Sequence, residues 1–187
     1  MNHTAREIYD EILVTRCQRR DVAAWDELVA HWNNRLFYYL RRLINHEQDA
    51  TNALQEVWLH AVRGIHTLKN GARLAPWLYT IARRTAMTHL RQEYGSREAS
   101  SSDQIVHEID DVPDEQLCLE NTELVHFGLG KLGVSEREVL TLFFLEDLTI
   151  VEIAELLSIP IGTVKSRLFK ARHDLRRVLE RESHHER

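Results

Sequence analysis

The stretch "GSREASSSDQIVHEIDDVPDEQ", residues 95–116, divides the sequence into two parts. It is polar, serine-rich and poor in aromatics, so it cannot bury enough apolar surface to collapse by itself. Any core must form on either side of it. The charge follows the same division. Residues 1–94 carry 13 basic and 10 acidic side chains, residues 95–127 carry Arg97 against nine acids, and residues 128–187 carry ten of each. The net charge of −5 therefore belongs to the middle of the chain. With 187 residues, the chain is long enough for two small domains that each bury a core. The expected organisation is a first domain over 1–94, a flexible acidic linker over 95–112 and a second domain over 113–187.

Seven Gly and three Pro are few for this length, which favours helices over a turn-rich β fold and predicts an all-α protein. No apolar run reaches the length of a membrane span, and "MNHTAREIYDEI" lacks a signal-peptide core, so a cytoplasmic location is expected. Cys17 and Cys118 are read as ordinary reduced side chains. The 11 histidines are scattered, and no Cys/His pair has zinc-finger spacing. His184 and His185 are read as solvated. Neither a metal nor a cofactor is expected.

In the C-terminal part, "SERE" and "TIVE" read as capping boxes, pairing Ser135 with Glu138 and Thr149 with Glu152. The first box predicts a helix over 136–145 with Val139, Leu140, Phe143 and Phe144 inward. The second predicts a helix over 150–157 with Ile153, Ala154 and Leu157 inward. Pro160 then opens a longer helix that buries Val164, Leu168, Ala171 and Leu175. A short helix, a tight turn and a basic helix make a helix-turn-helix. From Pro160 to Arg181 the chain holds seven bases against Asp174 and Glu180, and a phosphate backbone would supply the missing acids. Lys165, Arg167 and Lys170 can reach guanine acceptors or phosphates. Phe169 can meet a thymine methyl or join the core, and its place off the buried stripe favours exposure. Gly162 lets the backbone approach another surface closely.

In the N-terminal part, Asp21 opens a long helix with Trp25, Leu28, Val29, Trp32, Leu36, Tyr39, Leu40 and Leu43 at helical spacing, a core stripe. A second helix over 49–65 is apolar at Ala50, Ala53, Leu54, Val57, Trp58 and Ala61. Asn52, Gln55, Glu56 and Leu59 fall on its other side. A loop with Lys69 and Arg73 follows. Pro76 starts a third helix with Leu78, Ile81, Ala82 and Leu90 inward and Arg83, Arg84 and Arg91 adding positive charge.

Three stretches together carry a family resemblance: "DATNALQEVWLHAV" (49–62), "WLYTIARRTAMTHLR" (77–91) and "SEREVLTLFFLEDLTIVEIAELLSIPIGTVKSRLFKARHDLRR" (135–177). The chain resembles the extracytoplasmic-function class of bacterial sigma factors over about 21–91 and 113–179. The resemblance implies that Asp49, Asn52, Gln55 and Glu56 contact the clamp of core RNA polymerase. It implies that Lys69, Asn70, Arg73, Arg83, Arg84 and Arg91 open and read the −10 element of promoter DNA, where a positive groove suits single strands. Thr163, Lys165, Ser166, Arg167, Phe169 and Lys170 would read the −35 element. The acidic tether would thread the RNA exit path, and an anti-sigma factor is an expected partner. The chain departs from the family pattern at Asn52, usually an acid, at Arg84, usually Asn, and at Thr88, usually an acid. It departs again at Gly133, usually Pro, and at Ser158, usually Gly. If residue 158 is left-handed, its serine costs on the order of 1 kcal/mol.

A stand-alone helix-turn-helix regulator would use the basic helix but leave the polar face of 49–58 idle. An enzyme acting on DNA would need a nucleophile paired with a base or clustered carboxylates for a metal, and the N-terminal half offers neither. The sequence is therefore not expected to encode an enzyme.

Overall fold

Asp21 accepts a hydrogen bond from the backbone N–H of Ala24 and so caps the helix that organises the N-terminal domain. The computed structural model describes the backbone of residues 3–44, 46–97 and 127–185 and the side chains of 8–44, 46–91 and 127–181. All regular secondary structure among the described residues is helical, and the chain divides into two compact units, Met1–Ser101 and Ser102–Arg187. Most of the acidic linker expected over 95–112 lies outside the described residues, as do Cys118 and the side chains of His184 and His185.

The first unit contains α1 (His3–Gln18), α2 (Val22–Leu43), α3 (Glu47–Gly64) and α4 (Leu74–Arg97). Two 3-10 turns, Ile65–Thr67 and Gly71–Arg73, link α3 to α4. The expected stripe of α2 is buried at Leu28, Trp32, Leu36, Tyr39, Leu40 and Leu43, while Trp25 and Val29 are half-buried. Trp32 and Tyr39 both meet Tyr79 of α4 edge to face, at 6.1 and 5.2 Å between centroids. Each such contact adds about 0.5–1.5 kcal/mol beyond burial. On α3, Ala50, Ala53, Leu54, Val57 and Ala61 are buried as expected. Trp58 is half-buried and donates its indole N–H to Asn33, 3.1 Å away. On α4, Leu78 and Ala82 are buried, Ile81 and Leu90 half-buried.

α1 has no counterpart among the helices expected from the sequence. Its Leu13, Val14 and Cys17 complete the core, whereas Ile8 and Ile12 face outward. Burial pushes the Cys17 thiol up to about 11, so it stays a neutral thiol. Arg16 joins α1 to α2 through Asp21 at 2.9 Å and Glu27 at 2.8 Å. Gly71 allows α1 to approach the loop closely, because a Cβ there would lie 2.6 Å from the Cα of Glu11.

The second unit contains α5 (Val134–Leu140), a π turn (Thr141–Leu145), α6 (Ile150–Leu157) and α7 (Ile161–His185). Two expectations fail here. The first helix begins at Val134 with Gly133 at its cap, so Ser135 lies inside the first turn and forms no capping box. The helix also does not continue regularly to residue 145. The Glu146 N–H bonds the Thr141 carbonyl at 3.2 Å, and the wider turn rotates the side chains. Leu142 is fully buried instead, Phe143 is half-buried and Phe144 is exposed. Val139, Leu140, Ile153, Ala154, Leu157, Val164, Leu168 and Ala171 form the core as expected, with Leu175 half-buried.

Candidate nucleic-acid interface

The orientation of α7 begins with the start of α6. Thr149 accepts the N–H of Glu152 at 3.2 Å, and the Glu152 carboxylate accepts the N–H of Thr149 at 2.9 Å, a complete capping box. Ser158 ends α6 in the left-handed conformation, φ 56° and ψ 45°. The Ile159 N–H returns to the Ala154 carbonyl at 3.1 Å and closes the cap. The Pro160 carbonyl then accepts Thr163 and Val164 at 2.9 and 3.1 Å, starting α7. The proline precedes the first helical residue, and its missing N–H leaves no bond unmade.

With Val164, Leu168 and Ala171 turned inward, the opposite side of α7 exposes Lys165, Ser166, Phe169 and Lys170, with Thr163 and Arg167 half-buried. Phe169 is 77% exposed. A ring so exposed lies outside the core formed by Val164, Leu168 and Ala171. The Ser166 hydroxyl donates to the Thr163 carbonyl at 3.0 Å, leaving its oxygen free to accept. Gly162 is exposed, and a Cβ there would meet nothing within 4 Å.

The basic helix is less short of acids than its sequence implies. Lys170 reaches Glu136 of α5 at 2.7 Å, and Arg176 pairs with Glu180 at 2.7 Å. The Lys170 ammonium holds the Glu136 carboxyl below the usual carboxylate range. Arg172 stacks over Phe143 and Phe144, at 5.6 and 4.8 Å to the ring centroids. Glu136 lies 34 residues from Lys170 in the chain, so helical spacing does not reveal the pair.

The first unit carries a polar face and a basic edge. On α3, Asn52, Gln55 and Glu56 are exposed beside Leu59 and Val62, and Asp49 is half-buried. Gln48 donates to Asn52 at 3.2 Å, and Glu56 lies 3.2 Å from His89 of α4. Lys69, Asn70 and Arg73 are exposed on the loop, where the Asn70 side chain accepts the Ala72 N–H at 3.0 Å. Arg84 and Arg91 are exposed on α4 two helical turns apart, and Arg83 is half-buried. Among the described residues, no group of three or more His, Cys, Asp or Glu side chains could hold a metal, and no helix is long and apolar enough to cross a membrane.

Residues 28–95 match the Sigma-70 region 2 family, and residues 128–177 match Sigma-70, region 4. The ECF RNA polymerase sigma-E factor of Haemophilus influenzae is 30% identical over 178 residues, covering 90% of this chain and 94% of that protein. The chain belongs to the ECF sigma factors.

A sigma factor directs transcription initiation, and this ECF sigma factor carries both regions typical of that task. The RNA polymerase sigma-H factor of Pseudomonas aeruginosa is likewise 30% identical, over 183 residues, covering 91% of this chain and 94% of that protein. Among solved structures, the fold resembles RpoE from Bartonella quintana, determined with the anti-sigma factor NepR. The TM-score is 0.72 at 21% identity, covering 85% of this chain and 98% of that one. It also resembles CnrH, determined with the cytosolic domain of CnrY. There the TM-score is 0.65 at 21% identity, covering 91% of this chain and 97% of that one. The polar face of α3 and the basic edge of α4 fall within the region 2 match, and the basic face of α7 within region 4.

Proposed function

We propose that this ECF sigma factor divides its work among three surfaces. Asp49, Asn52, Gln55 and Glu56 on α3 bind core RNA polymerase. Lys69, Asn70, Arg73, Arg83, Arg84 and Arg91 line the path of the melted −10 strand, where cations track phosphates. Thr163, Lys165, Ser166, Arg167, Phe169 and Lys170 face the −35 duplex in the major groove. The division of labour runs over a first domain of 1–94 and a second of 113–187. The protein acts in the cytoplasm beside the polymerase, without catalysis of its own, and an anti-sigma factor restrains it. NepR on RpoE and CnrY on CnrH are the precedents for such a partner.

The observation that carries this reading is the outward face of α7, where Lys165 and Phe169 stand exposed on a helix whose start is fixed by a capped, left-handed turn. The test is run-off transcription from a library of genomic fragments with purified core enzyme. Defined start sites should appear only when the protein is added. Lys165→Ala or Arg167→Ala should weaken recognition at those sites by about 1–3 kcal/mol if each side chain contacts a base. Normal initiation by both variants would refute the placement of the −35 surface.

A further inference from the structure

Glu136 and Lys170 come from different helices and differ in how firmly they are held. The Glu136 side chain is 16% exposed, whereas that of Lys170 is 65% exposed. The carboxylate is thus fixed against the unit, and the lysine is a long exposed arm bent back to it. Their separation of 2.7 Å is that of a charge-assisted hydrogen bond, the same contact an ammonium makes to a phosphate oxygen. Arg167, one turn earlier on α7, also bears electrostatically on Glu136. The acid therefore lies beneath the basic face proposed to meet DNA.

We infer that Glu136 is a built-in rival of the DNA phosphate: it draws Lys170 back from the backbone and lowers the sequence-independent share of the affinity of α7. To touch a phosphate, Lys170 must first leave a carboxylate, so the exchange yields little net attraction. Among the described residues Glu136 forms its direct ion pair with Lys170 and not with Lys165 or Arg167, and discrimination between sequences falls to these two and to Phe169. A promoter-reading helix gains from this arrangement, because phosphate contacts strengthen binding to every sequence alike. The inference rests on the −35 reading of α7 and deepens it by giving Glu136 a specificity-setting role.

The test uses the full chain and a short fluorescent duplex of mixed sequence, with binding followed by anisotropy across a KCl series. Glu136→Gln keeps the shape of the side chain and removes its charge. It should bind about two- to fivefold tighter, the range an exposed ion pair can withhold. The plot of log affinity against log salt should steepen by about 0.9, as expected for one added phosphate contact. In a Lys170→Gln background both gains should vanish, and Lys170→Gln should cost more affinity in the Glu136→Gln protein than in the wild type. A gain that survives Lys170→Gln would show a general field effect and overturn the inference. Weaker binding with a lower melting temperature would show a packing role and do the same. If Lys165→Ala and Arg167→Ala weaken binding while Glu136→Gln changes nothing, the inference alone falls. If Lys165→Ala and Arg167→Ala also initiate normally at the defined start sites, the −35 reading falls as well.

Discussion

The side-chain amide of Gln18 donates to the main-chain carbonyl of Leu68 at 2.9 Å, and its other bond, to Ile65, has the same length. One residue at the end of α1 thus ties down the loop that precedes Lys69 and Asn70. Gln18→Ala should destabilise the protein by about 1 kcal/mol, near the net value of a partly solvated pair of hydrogen bonds. The local effect is more telling. The Leu68 and Arg73 amides close turns onto Ile65 and Asn70, and their hydrogen exchange should accelerate while the Trp32 core stays protected. Unchanged exchange at both amides would show that α1 does not brace the loop.

Glu56 is exposed on α3 but touches His89 at 3.2 Å, so a charge reversal there has two possible consequences. If the α3 face binds core polymerase, Glu56→Arg should weaken that binding about tenfold or more through like-charge repulsion or loss of a partner. His89→Ala removes the local contact and leaves the face intact. A pull-down in which the two variants lose core equally would locate the defect in the α3–α4 contact rather than in the interface.

The junction of α1 and α2 should respond to acid. Asp21 is held below the usual carboxylate range, chiefly by the Arg16 hydrogen bond. Glu27 is held down first by the Tyr9 hydroxyl and then by Arg16. Because both groups are more acidic in the folded protein, their stabilisation is present above the unfolded carboxylate values, about 4. It is lost as pH falls through the lowered folded values. The melting temperature should therefore drop on acidification, and Arg16→Met should melt lower than wild type near neutrality. The gap between the two should close in acid. A gap that stays constant across the titration would mean that these ion pairs contribute nothing.

Ser158 adopts φ 56°, a conformation in which a Cβ is strained. Ser158→Gly should stabilise the C-terminal unit by about 0.5–1 kcal/mol, since relief of strain exceeds the added freedom of the unfolded chain. The urea midpoint measures it directly. A decrease would mean that the serine hydroxyl makes up for the strain.

The features legible in the sequence were those set by short-range chemistry. Thr149 and Glu152 announced the start of α6, Asp21 that of α2, and the 3.6-residue spacing of Val164, Leu168 and Ala171 gave the buried side of α7 its direction and left Phe169 outside. Other features depended on the chain's folded surroundings. Ser135 looked like a cap, yet Gly133 takes that place and the helix starts at Val134, two residues before the expected start. Phe144 looked buried until the π turn rotated it outward, and nothing in "TLFF" signals an extra residue in the turn. In α1, Asp10 is buried with Leu13, Val14 and Cys17 while Ile8 and Ile12 are exposed, so its apolar residues do not mark a single packed side. The Glu136–Lys170 pair spans two helices, and no spacing rule joins residues so far apart in sequence.

Gly162 has a consequence of a different kind. It stands exposed on the first turn of α7, and a methyl group there would encounter nothing within 4 Å apart from its chain neighbours and the backbone of its own helix. Alanine at this position should leave the isolated chain intact, or steady it slightly through better helix propensity. Any loss of promoter recognition in that variant would then measure how closely the incoming duplex lies against the peptide backbone, undisturbed by damage to the fold.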